Sequence, residues 1–411
     1  MSSVSLYCKV HLPQELNHYA AGDIGNGSDY FNTAADESAV NRLANDCYLP
    51  ANKIMLSLIE KNKGKFKLAY SISGTTLELL MQYRPDVITS FQQLAKTGCV
   101  EFLAETYYNS LSWLHSKKEF QSQVEKHVAL IKELFGATPV VFRNTELIYN
   151  NELGSFIAAM GFKGIIAEGL ERILQGRDPN RVYHVPGTGN FGILLRHVSL
   201  SDDIAFRFGS MHWNQHPLTA EKYATWIHEH TGACNINLLL DYETFGIHKK
   251  QDTGIFEFLQ NLPVAIMSNK NWTFTMPSEA LEECAATDEY NISETISWKD
   301  KEIECCVWCE NTRQNNMLKK IYSLENMVHK NGNEAEIHLW RQLQSADYFY
   351  YMSDNGRTAD DAYQYLNPFS SAEKAHYHYI NIITDFEIKL IEKGLSKFKE
   401  ENQQTINPSI Y

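Results

Sequence analysis

The first residues alternate, with Val4, Leu6, Cys8 and Val10 on one side and Ser5, Tyr7, Lys9 and His11 on the other, the period of a strand with His11 at its C-terminal end. Pro50 opens a run with Ile54, Met55, Leu58 and Ile59 at three-and-four spacing, which predicts a helix closed by Gly64. The strand-like FKLAYSIS follows from Phe66, then VEFLAE from Val100, a helix over about 117–135 ended by Gly136, PVVFRN from Pro139, and a helix ended by Gly161. FKGIIAE, GILLRH and NINLLLDYE continue the pattern, with helical stretches such as TAEKYATWIHEH between them, as far as about Pro277. Short apolar strands alternating with helices imply parallel strands and helical crossovers. Seven or eight such strands suit a closed or nearly closed barrel, which gathers its chemistry at strand C-termini.

Beyond about residue 300 the period becomes helical throughout, for example at Ile383, Phe386 and Leu390. The chain is therefore expected to be α/β, with a barrel over 1–285, a helical region over 286–396 completing the cleft, and a polar, loosely docked tail over 397–411. Composition fits this reading: 44% of the 411 residues are hydrophobic and 21% charged, as in a folded globular chain. A net charge of −13 without a cationic block argues against a nucleic-acid partner. No window of about 18 apolar residues predicts a membrane span, and MSSVSLYCKVHLP lacks the features of a secretory signal, so a cytoplasmic protein is expected. The eight cysteines are too sparse for a disulfide scaffold, and Cys8, Cys47, Cys99, Cys234 and Cys284 read as reduced packing residues. Oligomeric state is not legible.

On a barrel, the strand ends would expose His11, Glu105, Glu146, and Asp241 with Glu243. Two carboxylates facing each other across a bond are the minimum equipment for glycoside cleavage, and Glu146 with Asp241 is the obvious pair, expected about 5–7 Å apart at one opening. The competing reading is that acids after strands cap helices or are solvated. Asp241 follows an apolar LLL run, a setting suited to acid work. HWNQH places His212 and His216 at i, i+4, but Pro217 points to a loop, and with an early acid such as Asp23 the pair supports only a secondary reading as a metal-dependent deacetylase. Trp213 between them is a candidate sugar platform. Cys306 and Cys309 form a CxxC beside Cys305 with no second pair, which reads as core. GTGNFG at Gly187 precedes a strand, not a helix, and is not a phosphate loop.

Four stretches, VHLP at Val10, VEFLAETYYNSL at Val100, VFRNTELIYNNE at Val141 and LLLDYETFGIH at Leu238, together with WRQLQSADYFYYM at Trp340, resemble the ordered sequence regions of glycoside hydrolase family 57 in its α-amylase and amylase-like branch. The resemblance implies an incomplete seven-stranded (β/α) barrel followed by a helical bundle, acting on α-glucans or maltooligosaccharides with retention of configuration and without a metal or organic cofactor. Residue by residue, it makes Glu146 the nucleophile and Asp241 the general acid/base. His11, Glu105, Asn109, Trp113, Trp213, Trp340 and Asp347 are the candidate sugar-binding residues.

Three positions depart from the family pattern. Leu12 stands where the first region has Gln, Asn109 where the second has His, and Tyr348 where the fifth has His. Asn and Tyr can hydrogen-bond hydroxyls but carry no positive charge near neutral pH. An amylase-like protein that binds glucan with little or no turnover is therefore the alternative, although both catalytic carboxylates are kept.

Overall fold

The computed structural model describes residues 1–189, 191–286, 288–299, 307–354 and 366–405, the last five by their backbone. They form two compact units: Met1–Leu12, Glu37–Tyr107 and Ser122–Glu304 make the first; Pro13–Asp36, Tyr108–Gln121 and Cys305–Tyr411 make the second. The division is not a single cut near residue 285, because two early segments group with the C-terminal helices.

The first unit is a parallel barrel. Its strands are β1 (Ser2–Val10), β2 (Leu68–Ile72), β3 (Val100–Phe102), β4 (Val141–Arg143), β5 (Gly164–Glu168), β6 (Tyr183–His184), β7 (Gly192–Arg196), β8 (Asn235–Asp241) and β9 (Trp272–Phe274). Seven of them run in the order β3-β2-β1-β8-β7-β5-β4, while β6 pairs antiparallel with β7 and β9 lies along the start of β1. The bridge Ala104–Phe142 joins the two ends of the sheet, and β7 meets β8 at the register pair Arg196–Asn237. This is the expected seven-stranded (β/α) barrel, with two minor strands added. Helices such as Leu49–Lys61, Lys117–Phe135 and Asn151–Ala159 alternate with the strands. Gly136 and Gly161 follow the last two with positive φ, the left-handed stop that glycine adopts without cost.

Strand alternation fills the barrel. Tyr7, Ala69, Val141, Ile166, Leu194 and Leu239 from six of the seven strands, with Leu103 directly after β3, pack as a single interior cluster. Positions two residues further along each strand share that inward face. There the interior turns charged: Lys9, Arg143, Glu168, Arg196 and Asp241 replace the apolar layer, and the strand-end acid Glu105 follows Leu103.

The second unit contains the helices Thr312–Ser323, Glu325–Asn331, Glu334–Gln342, Ala346–Tyr350 and Ala372–Thr405, with Trp340, Leu318, Ile321, Phe349 and Ile383 buried among them. Two expectations are corrected. The tail is not a loose strand of chain from Lys397: the last helix runs on to Thr405, and Lys397 Nζ donates to Asn331 O at 2.8 Å. KFKEENQQT is built of good helix formers, which explains the continuation; residues 406–411 lie outside the described residues. Cys234 and Cys284 are not reduced: they are disulfide-bonded, their Cα atoms 6.0 Å apart. Cys8, Cys47 and Cys99 are buried thiols as expected, and the expected core role of Cys305 and Cys306 falls outside the described residues. Among the described residues no helix is long and apolar enough to cross a membrane.

Candidate active site

β4 ends in a one-turn helix, Thr145–Leu147, in which Glu146 has φ +54° and ψ 26° and Leu147 has φ +51°. Two successive non-glycine residues in the left-handed region are unfavourable and persist only where surroundings enforce them. Here the turn is stitched by Leu147 N donating to Asn144 O, Ile148 N to Thr145 O and Asn144 Nδ2 to Ile148 O. The result is a Glu146 side chain only 1% exposed, with each carboxylate oxygen engaged. Lys9 Nζ donates to Oε1 at 2.8 Å and Trp298 Nε1 donates to Oε2 at 2.8 Å. Burial by itself would raise the acid's pKa; the Lys9 ammonium, the Arg143 guanidinium and the two hydrogen bonds outweigh it and hold Glu146 below the ordinary carboxylate range.

Lys9 and Asp241 are register partners on the parallel strands β1 and β8, so their side chains leave the sheet on the same, inward face. With Lys9 bonded to Glu146, the two acids 95 positions apart come to the same end of the barrel interior. Asp241 is partly exposed and makes no salt bridge among the described residues. Two residues on, Glu243 is buried, accepts a hydrogen bond from Tyr48 Oη at 2.6 Å, and is pushed up to about 8 by burial and by the charge of Asp241.

Glu105 is buried in an ion pair with Arg143 Nη1 at 2.7 Å and also accepts from Ser71 Oγ at 2.8 Å; its Oε1 has no hydrogen-bond partner among the described residues. His11 lies at the end of β1 with Nδ1 2.7 Å from Ser73 Oγ. These residues, Glu146 and Asp241 all belong to the barrel unit.

Asn109, Trp113, Trp340 and Asp347 belong to the second unit. Asn109 Nδ2 lies 3.3 Å from Asp347 Oδ2, which also accepts from Ser345 Oγ at 2.7 Å, so this pair is brought together. The two tryptophans are corrected as stacking surfaces. Trp340 is 0% exposed with its indole donating to Ile321 O, and Trp113 is buried with the Lys117 ammonium 3.4 Å from its ring centroid. Tyr348, too, is buried, its hydroxyl spent on Gln14 O. In the barrel unit, Trp213 is half-buried, edge-on to Trp226. His212 and His216 flank it in exposed turns and not on one helix face. Among the described residues no group of three or more His, Cys, Asp or Glu side chains is gathered as a metal-binding set.

Residues 5–293 match the profile described as Glycosyl hydrolase family 57. Over 410 residues the chain is 38% identical to a putative alpha-amylase of Methanocaldococcus jannaschii, covering 96% of this chain and 86% of that one. The chain belongs to glycosyl hydrolase family 57. It is accordingly a glycoside hydrolase. Its fold is similar to that of a 4-alpha-glucanotransferase from Thermococcus litoralis, at a TM-score of 0.65 and 15% identity over 85% of this chain and 56% of that one. An alpha-amylase from Thermotoga maritima is alike at a TM-score of 0.62 and 12% identity, over 95% and 93% of the two chains. At such identities these two likenesses speak for the fold alone.

Sequence reasoning passed over two residues of this family 57 site and the partner of a third. Lys9 was visible on the polar side of β1, but nothing local distinguishes an inward lysine from a solvated one. Trp298 lies 152 positions from the glutamate it holds. Glu243 was noted beside Asp241, but its partner Tyr48 is 195 positions away.

Proposed function

We propose that the protein cleaves α-glucans with retention of anomeric configuration, Glu146 acting as nucleophile and Asp241 as general acid/base. The observation that carries this reading is the environment of Glu146: a buried, backbone-constrained carboxylate kept ionised by Lys9 and Trp298, with Asp241 as the register partner of that same lysine. In the first step the Asp241 proton passes to the glycosidic oxygen while the C1–O bond breaks and a Glu146 oxygen bonds C1. In the second, Asp241 takes a proton from water or a sugar hydroxyl, whose oxygen attacks C1 and frees Glu146. Water gives hydrolysis; sugar gives transfer. The name of the Methanocaldococcus relative supports an α-glucan substrate, and the two similar folds, one a glucanotransferase and one an amylase, leave the acceptor to experiment.

His11, Glu105, Asn109, Asp347 and Trp213 are proposed to contact sugar hydroxyls or rings. The protein is proposed to be cytoplasmic.

Incubation with maltoheptaose followed by product profiling tests the reading. Shorter sugars alone indicate hydrolysis, and longer ones as well indicate transfer. Glu146→Gln should abolish either by at least a thousandfold. Bound maltoheptaose left unchanged by the wild type would overturn the activity in favour of a glucan-binding protein, the reading that the departures at Leu12, Asn109 and Tyr348 favour.

A further inference from the structure

After the short helix Val198–Asp202 the chain winds into a π-helical turn, Asp203–Arg207, a local widening common at functional sites. It leaves Phe206 38% exposed between the buried residues Ile204 and Phe208. One exposed phenylalanine is unremarkable in itself, but this one is held. Its ring lies 6.2 Å from that of Trp298 with the planes 9° apart. Its carbonyl oxygen accepts from Lys249 Nζ at 3.0 Å. Trp298 is the residue that bonds Glu146 Oε2, and Lys249 ends the loop that follows Asp241, closed by Gly246 N donating to Lys249 O and Lys249 N to Thr244 O. Phe206 is thus tied both to the residue that bonds Glu146 and to the loop that follows Asp241.

An indole N–H lies in the plane of its ring, so Glu146 sits off the edge of Trp298. The parallel Phe206 ring is therefore displaced to the side of the carboxylate and does not lie over the carbon it attacks. Lys299 Nζ lies over the indole, 5.2 Å from its centroid, which makes the phenyl ring the more open aromatic face. A flat apolar face beside a carboxylate pair matches the C–H face of a pyranose. We propose that Phe206, backed by Trp298, is the platform on which the glucosyl unit adjoining the one attacked by Glu146 stacks. This rests on the α-glucan reading above.

Calorimetric binding of maltoheptaose and steady-state kinetics on the full chain test it with Phe206→Ala and Phe206→Tyr. Phe206→Ala should weaken the dissociation constant and raise KM about tenfold, the size of one lost stacking contact, with kcat within about twofold. Phe206→Tyr should restore both, a rescue that general damage to the fold would not show. If the wild type makes product and Phe206→Ala changes neither binding nor KM, or Phe206→Tyr fails to rescue, the platform is wrong while the activity stands. If the wild type binds without turnover and Phe206→Ala weakens binding, the activity is wrong while the platform stands. A wild type that neither binds nor converts maltoheptaose overturns both.

Discussion

Lys9 divides two carboxylates: its ammonium bonds Glu146 at 2.8 Å, while its backbone is the register partner of Asp241 on the neighbouring strand. A buried cation given to one acid and not the other gives the pair unlike environments, which is what a nucleophile and an acid need.

Replacing Lys9 with methionine tests that assignment. Methionine keeps most of the apolar stem and removes the charge that offsets burial of Glu146. The acid then becomes easier to protonate, so the acidic limb of kcat/KM should move up by about one pH unit or more, with kcat down roughly 10–100-fold at neutral pH. A pH–rate profile of Lys9→Met with an unmoved acidic limb would show that Glu146 does not depend on the lysine.

Glu243 makes a different pH prediction. Its pKa is raised in the folded protein, to about 8 from an ordinary 4.5, so the folded state holds a proton that the unfolded state has lost between those values. Its contribution to stability is full below about pH 4.5 and lost as pH rises to about 8, with a slope of up to about 1.4 kcal/mol per pH unit. Glu243→Gln keeps an acceptor for Tyr48 and removes the titration. Thermal unfolding between pH 5 and 8 should decline less steeply in the variant than in the wild type; parallel curves would contradict the assignment.

The barrel was legible because most of its strands are short apolar runs alternating with helical stretches, and the strand ends pointed to His11, Glu105, Glu146 and Asp241. Period-two alternation could not say that the polar side of β1 faces inward, because at this end of a barrel the interior is itself charged; Lys9 was hidden for that reason. Side-chain type hid other features. Trp113 and Trp340 lie in or beside the family-like stretches, where stacking on a sugar is expected, yet residue type does not reveal that both are buried. The pairing of Cys234 with Cys284 is likewise a product of the fold, since spacing does not specify connectivity.

That disulfide should matter for stability and not for chemistry. Cys234 precedes β8 and Asp241 ends it, which sets them roughly 20 Å apart along the strand. Closing a span of 50 residues is worth about 2–4 kcal/mol, chiefly by restricting the unfolded chain. Reduction, or Cys234→Ser with Cys284→Ser, should lower Tm by several degrees while leaving kcat on maltoheptaose within about twofold. A Tm indifferent to reductant would mean that the bridge contributes nothing.

Arg143 and Glu105 form an ion pair in which both side chains are 2% exposed, so neither charge has water to fall back on. Removing one partner should cost more than removing both. Arg143→Met leaves Glu105 with an uncompensated buried charge and should destabilise the fold by about 3–5 kcal/mol in urea unfolding, whereas adding Glu105→Leu should recover a large part of that loss. Arg143 also helps hold Glu146 ionised, so the double variant should regain stability without regaining activity. Recovery of both together would place Arg143 outside the electrostatics of the nucleophile and leave Lys9 and Trp298 to act alone.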